Sequence, residues 1–130
     1  MSISCTGTLN HLSLPTTDPQ PTAAFLAEHF GCRIVTAGDS ILLHRNGFDI
    51  VLDHVEEPVQ WPRNFHFGFE METLAEVRAL HRTFDAAGVF METAVFNNSR
   101  GSRFFCRMPG GVMIEVNTRE DKEDDWRKLF

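Results

Sequence analysis

The sequence predicts an α+β fold in which one β-α-β-β-β pass runs twice inside a single domain. Three observations carry this reading. The 130 residues, 42% of them hydrophobic, suffice for one compact core and are too few for two ordinary domains. Strand and helix periodicities follow the same order in both halves. Landmarks also recur: His11 and His66 lie in the opening strands 55 residues apart (66 − 11), Gly31 and Gly88 close the helices 57 apart (88 − 31), and Gly47 and Gly111 sit in the last hairpins 64 apart (111 − 47). The growing offset needs only small insertions, for which residues 97–101 offer a place.

The first pass opens with residues 8–14, where Leu12 and Leu14 alternate with Leu9, His11 and Ser13. Phe25, Leu26, His29 and Phe30 then fall at helical spacing over 23–30, and Gly31 is a natural C-cap. Strands are expected over 32–36, 40–45 and 48–54, the last two joined by the hairpin signal Asn46-Gly47. A linker with Pro58 and Pro62 follows. The second pass opens with a strand over 64–70. Thr73-Leu74-Ala75-Glu76 has the form of a capping box, which starts a helix with Leu74, Val77, Leu80 and Phe84 on one face and Gly88 at its end. Strands over 89–96, 102–107 and 112–116 complete it. The single domain thus reads as a module of about 8–54, a linker of 55–63, a module of about 64–117 and a C-terminal tail of 118–130.

Composition excludes several classes. Twelve Lys and Arg against 18 Asp and Glu leave a formal charge of −6, which disfavours a nucleic-acid footprint. No apolar run is long enough for a membrane span, and the first ten residues lack a secretory signal, so a cytoplasmic protein is expected. Cys5, Cys32 and Cys106 are odd in number and lack CxxC spacing, which points to plain thiols rather than disulfides or a thiolate zinc site. Tyr is absent, so no phenolic acid, base or nucleophile is available.

Alternation sorts each strand into two faces. Phe65, Phe67 and Phe69 oppose His66, Gly68 and Glu70; Val112, Ile114 and Val116 oppose Met113, Glu115 and Asn117; Phe48, Ile50 and Leu52 oppose Asp49, Val51 and Asp53. With the greasy faces under the helices, the other faces form a partly polar concavity that collects His11, His66 and Glu115. Two imidazoles and a carboxylate suit a divalent metal and leave positions open for water or substrate. The same set also suits two hydrogen-bonded cavity histidines and a carboxylate that caps the sheet. Arg103 and Arg107 share a strand face and, with Arg100, either bind a substrate carboxylate or phosphate or serve as solvated surface charges. His54 is a candidate proton shuttle, His44 and His81 read as structural, Trp61 reads as a lid or linker packing, and Phe105 as core or cavity lining.

Leu9-Asn10-His11-Leu12-Ser13-Leu14, with Asp18, Phe25 and His29-Phe30-Gly31, resembles the opening of the vicinal oxygen chelate superfamily. That superfamily includes glyoxalase I, bleomycin-resistance proteins, fosfomycin-resistance enzymes and extradiol dioxygenases. Phe65-His66-Phe67-Gly68-Phe69 and the run from Met108 to Val116 resemble its second-half signatures, so the likeness spans about residues 8–118. It implies paired βαβββ modules around a metal cup with helices outside. It also implies His11, His66 and Glu115 as ligands of a divalent ion, here expected to be Zn, Ni, Mn or Fe(II); Glu115 is further expected as the catalytic carboxylate, and Ser13, Arg103 and Arg107 as substrate-binding residues. The expected partners are a small-molecule substrate and a second copy of the chain, with neither nucleic acid nor membrane.

Departures from the subfamilies narrow the reading. Glyoxalase I carries a fourth ligand in the last strand of the first module. The hairpin offset puts that position at residue 51 (115 − 64), which is Val51, with Asp49 and Asp53 out of register. Ser99-Arg100-Gly101-Ser102 is similar to the loop of fosfomycin-resistance enzymes, but their substrate-binding tyrosine has no counterpart. Three functions stay open: a metal-dependent lyase, isomerase or transferase of glyoxalase-like type; an Fe(II) extradiol-type dioxygenase; and a metal-free binding protein of bleomycin-resistance type. In the tail, an acidic run from Glu120 to Asp125 precedes Trp126, Leu129 and Phe130, which reads as a polar helix whose apolar end is either a solvated cap or a dimer contact.

Overall fold

The computed structural model describes residues 6–37 and 39–123. Cys5 and the apolar end of the tail, Trp126, Leu129 and Phe130, lie outside the described residues. The chain divides into two compact units, Met1–Val59 and Gln60–Phe130. Each is a mixed sheet with one helix packed on it, so the α+β class and the doubled pass are as predicted.

The first unit comprises β1 (His11–Thr16), α1 (Pro19–Phe30), β2 (Arg33–Ala37), β3 (Ser40–Arg45) and β4 (Phe48–His54). Its sheet order is β1-β4-β3-β2, with β1 parallel to β4 and the other pairs antiparallel. Helix α1 starts four residues before the expected Ala23. Pro19 and Pro21 belong to its first turn, where an amide hydrogen has no intrahelical partner and the fixed proline φ suits the helix. Thr22, Ala23, Phe25, Leu26 and Phe30 are buried, and the left-handed Gly31 ends the helix as predicted. Asn46 and Gly47 both have positive φ (51° and 79°), the backbone that a two-residue hairpin needs and that Asn-Gly tolerates best. Leu14, Leu43, Ile50 and Leu52 form the sheet's contribution to this core.

The second unit comprises β5 (His66–Met71), α2 (Leu74–Ala86), β6 (Phe90–Met91), β7 (Phe96–Asn98), β8 (Gly101–Arg107) and β9 (Met113–Thr118). Its order is β5-β9-β8-β6, with β7 also on β8 and β5 parallel to β9. At the start of α2 the Thr73 hydroxyl accepts from the Glu76 amide at 3.1 Å, the predicted cap, while the Leu74 amide donates to Glu120 Oε1 at 3.0 Å. Val77 and Phe84 of α2 pack on Phe104, Ile114 and Val116, and all are buried.

The strand expected over 89–96 is split instead. The Glu92 and Thr93 amides both donate to the Phe105 carbonyl, and the Phe105 amide donates to Thr93 Oγ1. Two residues thus oppose one. This bulge-like break turns Thr93 out of the ladder and leaves β6 and β7 as separate short strands on β8.

The two units share more than element order. His11 opens β1 and His66 opens β5. Ser13 stands beside Val51 in the parallel pair, and Gly68 beside Glu115. Val51 is therefore the register equivalent of Glu115, at the position obtained by subtracting 64.

Candidate functional site

In the second unit the faces divide as alternation predicts. Ile114, Val116 and Thr118 are buried, while Met113, Glu115 and Asn117 are only partly covered. On β8, Phe104 and Cys106 face α2, and Arg103, Phe105 and Arg107 share the other side with the alternate residues of β9 and with His66. This side of the sheet carries the polar chemistry.

His66 and Glu115 come together there. The His66 Nδ1 hydrogen donates to the Asn64 carbonyl at 2.9 Å, and Nε2 lies 3.9 Å from Glu115 Oε1. Phe105 packs edge-on against the imidazole, with ring centres 5.1 Å apart. Glu115 is held from two more directions: Arg103 donates through a terminal nitrogen to Oε1 at 3.1 Å, and the Asn117 amide donates to Oε2 at 2.6 Å. Gly68 makes room for this arrangement. A Cβ there would lie 3.2 Å from the Glu115 carbonyl, 3.3 Å from Asn117 Nδ2 and 3.4 Å from Glu115 Cβ.

The Arg103 side chain is 7% exposed and that of Glu115 14%, so this ion pair sits largely out of water. The second Arg103 terminal nitrogen donates to Asn98 Oδ1 at 2.7 Å. Arg103 Nε is buried and unpartnered among the described residues. Their attraction is less screened than at the surface, and removing either partner would leave the other charge largely out of water.

Arg107 is also engaged, by the Glu92 carboxylate and by the Gly111 carbonyl at 2.8 Å. It borders a cleft of about 320 Å³ lined by Arg63, Asn64, His66, Glu92, Thr93, Phe105, Arg107 and Met113. Arg63 and Asn64 occupy a turn closed by the Phe65 amide on the Pro62 carbonyl. Trp61 stacks on Phe65 with centres 5.1 Å apart and donates to the Gly110 carbonyl at 3.2 Å, so it fastens this turn to the β8–β9 hairpin.

In the first unit, His11 and Ser13 lie exposed on one face of β1. His11 Nδ1 meets Asn10 Oδ1 at 2.7 Å, which likewise leaves Nε2 without a bond. The nearby carboxylates are occupied: Asp49 pairs with His44 at 2.6 Å, and Asp53 accepts from the Ser40 hydroxyl at 2.8 Å. His54 is half exposed and 3.8 Å from Glu56, and His81 packs edge-on against Phe104. Burial pushes the Cys106 thiol up to about 12. It raises Cys32 as well, against the opposing charge of Arg45, so both described cysteines are buried thiols.

Among the described residues no three His, Cys, Asp or Glu side chains gather closely enough to hold a metal ion. The donors of the second unit nevertheless fit one in kind. A neutral imidazole whose other nitrogen is tied to a carbonyl is the usual form of a metal-ligating histidine. Tetrahedral bonds of about 2 Å put two donor atoms about 3.3 Å apart, so the 3.9 Å gap to the carboxylate would have to close by about half an ångström around an ion. Arg103 competes for the same carboxylate oxygen.

Alternation gathers His66 with Glu115 and, separately, Arg103 with Arg107; that all four lie on one side of the sheet, and what the two arginines bond, comes from the structure. Asn64 and Thr93 are expected inside the strands over 64–70 and 89–96 but lie in a turn and in a break in the ladder, and Arg63 falls in the expected linker.

No curated protein matches the sequence significantly. Among solved structures the chain is similar to that of a possible glyoxalase from Bacillus cereus, at 29% identity and a TM-score of 0.75, covering 87% of this chain and 99% of that one. It is similar in fold to a lactoylglutathione lyase from Agrobacterium tumefaciens, at 20% identity and a TM-score of 0.69 over 85% and 92% of the two chains. The same holds for the fosfomycin resistance protein FosX from Listeria monocytogenes, at 19% identity and a TM-score of 0.75 over 88% and 94%. The profile of the Glyoxalase/Bleomycin resistance protein/Dioxygenase superfamily matches residues 8–116, most of the chain and both passes. This chain therefore belongs to that superfamily.

Proposed function

We propose that the chain is a metal-dependent, glyoxalase-like enzyme that binds a divalent ion through His11, His66 and Glu115 and acts on a small substrate that chelates through oxygen. The observation that carries this reading is the His66–Glu115 pair, with Nδ1 bonded to the Asn64 carbonyl and Nε2 3.9 Å from Glu115 Oε1. His11 has the equivalent strand position and the same form of Nδ1 bond. A divalent ion in such a site supplies Lewis acidity to a bound substrate oxygen.

The chain's own residues do the rest. Glu115 serves as the carboxylate that accepts a substrate proton, while Asn117 fixes Oε2 and Arg103 sets its orientation through Oε1. Phe105 and Met113 form the apolar wall of the cleft that adjoins His66. Ser13, Arg103 and Arg107 complete the substrate-facing set. In this reading the protein works in the cytoplasm as a homodimer, checked by light scattering on purified protein.

Metal content is the test. Freshly purified protein is expected to hold about one ion per chain, and His66→Ala or Glu115→Ala to lose it while the circular dichroism stays native. Unchanged metal in both variants refutes the assignment. Iron with substrate-dependent oxygen uptake would instead mark a dioxygenase. The Arg103–Glu115 ion pair favours a second reading, a metal-free small-molecule binder, because it gives the carboxylate a counter-charge without any ion. Failure to take up Zn, Ni, Mn or Fe(II) on reconstitution would decide for that reading.

A further inference from the structure

The cleft beside His66 holds an unbalanced charge. Arg107 is matched by Glu92, and Arg103 outside the cleft is matched by Glu115. Arg63, in contrast, is exposed, lines the cleft, and has no hydrogen-bond or ion-pair partner among the described residues. Leaving His66 aside, the lining holds two guanidinium groups and one carboxylate, an excess of one positive charge in a chain whose formal charge is −6. An uncommitted guanidinium on a cleft wall is a fork suited to a carboxylate.

The remaining lining sets the other half of the ligand. Phe105 and Met113 offer an apolar floor, and Phe105 is itself braced by His66 and by Phe96, stacked at 6.1 Å between ring centres. Thr93, turned out of the ladder by the break opposite Phe105, uses its hydroxyl oxygen as an acceptor and keeps its hydrogen to donate. About 320 Å³ accommodates a molecule of a few to a dozen heavy atoms and lies at the small end of ligand sites. The turn that carries Arg63 is fastened by Trp61 to Phe65 and Gly110, so the guanidinium projects from a fixed base.

We infer that this cleft binds small organic monoanions, a carboxylate on Arg63 with an apolar or aromatic body on Phe105 and Met113, and that Arg63 selects for the charge. The inference deepens the proposed function by naming its substrate class, since the cleft adjoins His66. It is tested apart from the metal by working on chelator-treated protein. Benzoate and its neutral counterpart benzamide are titrated by calorimetry at low salt into the wild type and Arg63→Gln. Benzoate is expected to bind about tenfold more tightly than benzamide, with Arg63→Gln abolishing that preference and leaving benzamide unchanged. Arg63 has no partner to lose, so the variant should melt with the wild type. Equal affinity for the two probes, no saturable binding of either, or a preference that survives in Arg63→Gln overturns the inference. Loss of metal in the His66 and Glu115 variants remains the separate test of the metal reading.

Discussion

The Arg103 guanidinium and a divalent cation would use the same oxygen of Glu115, so the two are linked through one carboxylate. Arg103→Met removes the counter-charge and leaves a carboxylate that is largely out of water, at a cost of about 3 kcal/mol in metal-free protein. Added Zn then restores a positive charge and meets no competitor. The expected outcome is a lower melting temperature for the chelated variant and a larger Zn-induced rise than in the wild type. Equal Zn-induced rises in the two proteins would show that Arg103 does not compete. This relation was not legible from residue order, because a two-residue period assigns faces and says nothing of which neighbours on a face bond. His66 and Glu115 were legible for the complementary reason: each sits on a strand whose other face is unmistakably apolar. Arg63 was invisible, since a turn residue has no period to belong to.

Elements were legible where a local signal coincided with a long-range one. The Thr73 cap, the Asn46-Gly47 hairpin and Gly31 all act within a few residues, and each ends or starts an element as expected. The expected strand over 89–96 fails because the Thr93 hydroxyl takes the place of a ladder carbonyl, a choice that depends on β8 and not on the segment itself. A similar side-chain contact ties the chain after β9 to the β7–β8 hairpin. Asp121 accepts from the Ser102 amide at 3.0 Å, the Ser102 hydroxyl at 2.5 Å and the Asn97 amide group at 2.5 Å. Burial pushes this carboxyl up, but those hydrogen bonds outweigh it and hold it below the ordinary carboxylate range. A depressed folded-state value means stability that is present above the unfolded value, about pH 4, and is lost as pH falls through the folded one. The stability difference between wild type and Asp121→Ala should therefore be full at pH 6 and shrink steadily below pH 4 in denaturant titrations. A difference independent of pH from 6 to 2 would contradict it.

At the scale of the whole molecule, the repeat is the most informative feature, and one offset makes it quantitative. Val51 stands beside Ser13 as Glu115 stands beside Gly68, so the chain has the same slot twice and fills it with a carboxylate once. Val51→Glu gives the first unit the acid that the second already has. If the two slots are equivalent in function, the variant should bind Ni or Zn at least about tenfold more tightly in chelator competition, the lower end of what even an outer-shell partner contributes. Affinity unchanged within twofold would mean that the likeness of register stops at the backbone.

The parallel pairing that closes each unit also governs the order in which the molecule can form. Strand β1 pairs with β4 across the whole of α1, β2 and β3, and β5 pairs with β9 across α2, β6, β7 and β8. Contacts of such long sequence separation slow folding and leave an unpaired edge until they close. On a ribosome the first unit can complete while the second is still being synthesised. His66 would then emerge long before Glu115, and the pair at the centre of the candidate site would be among the last contacts made.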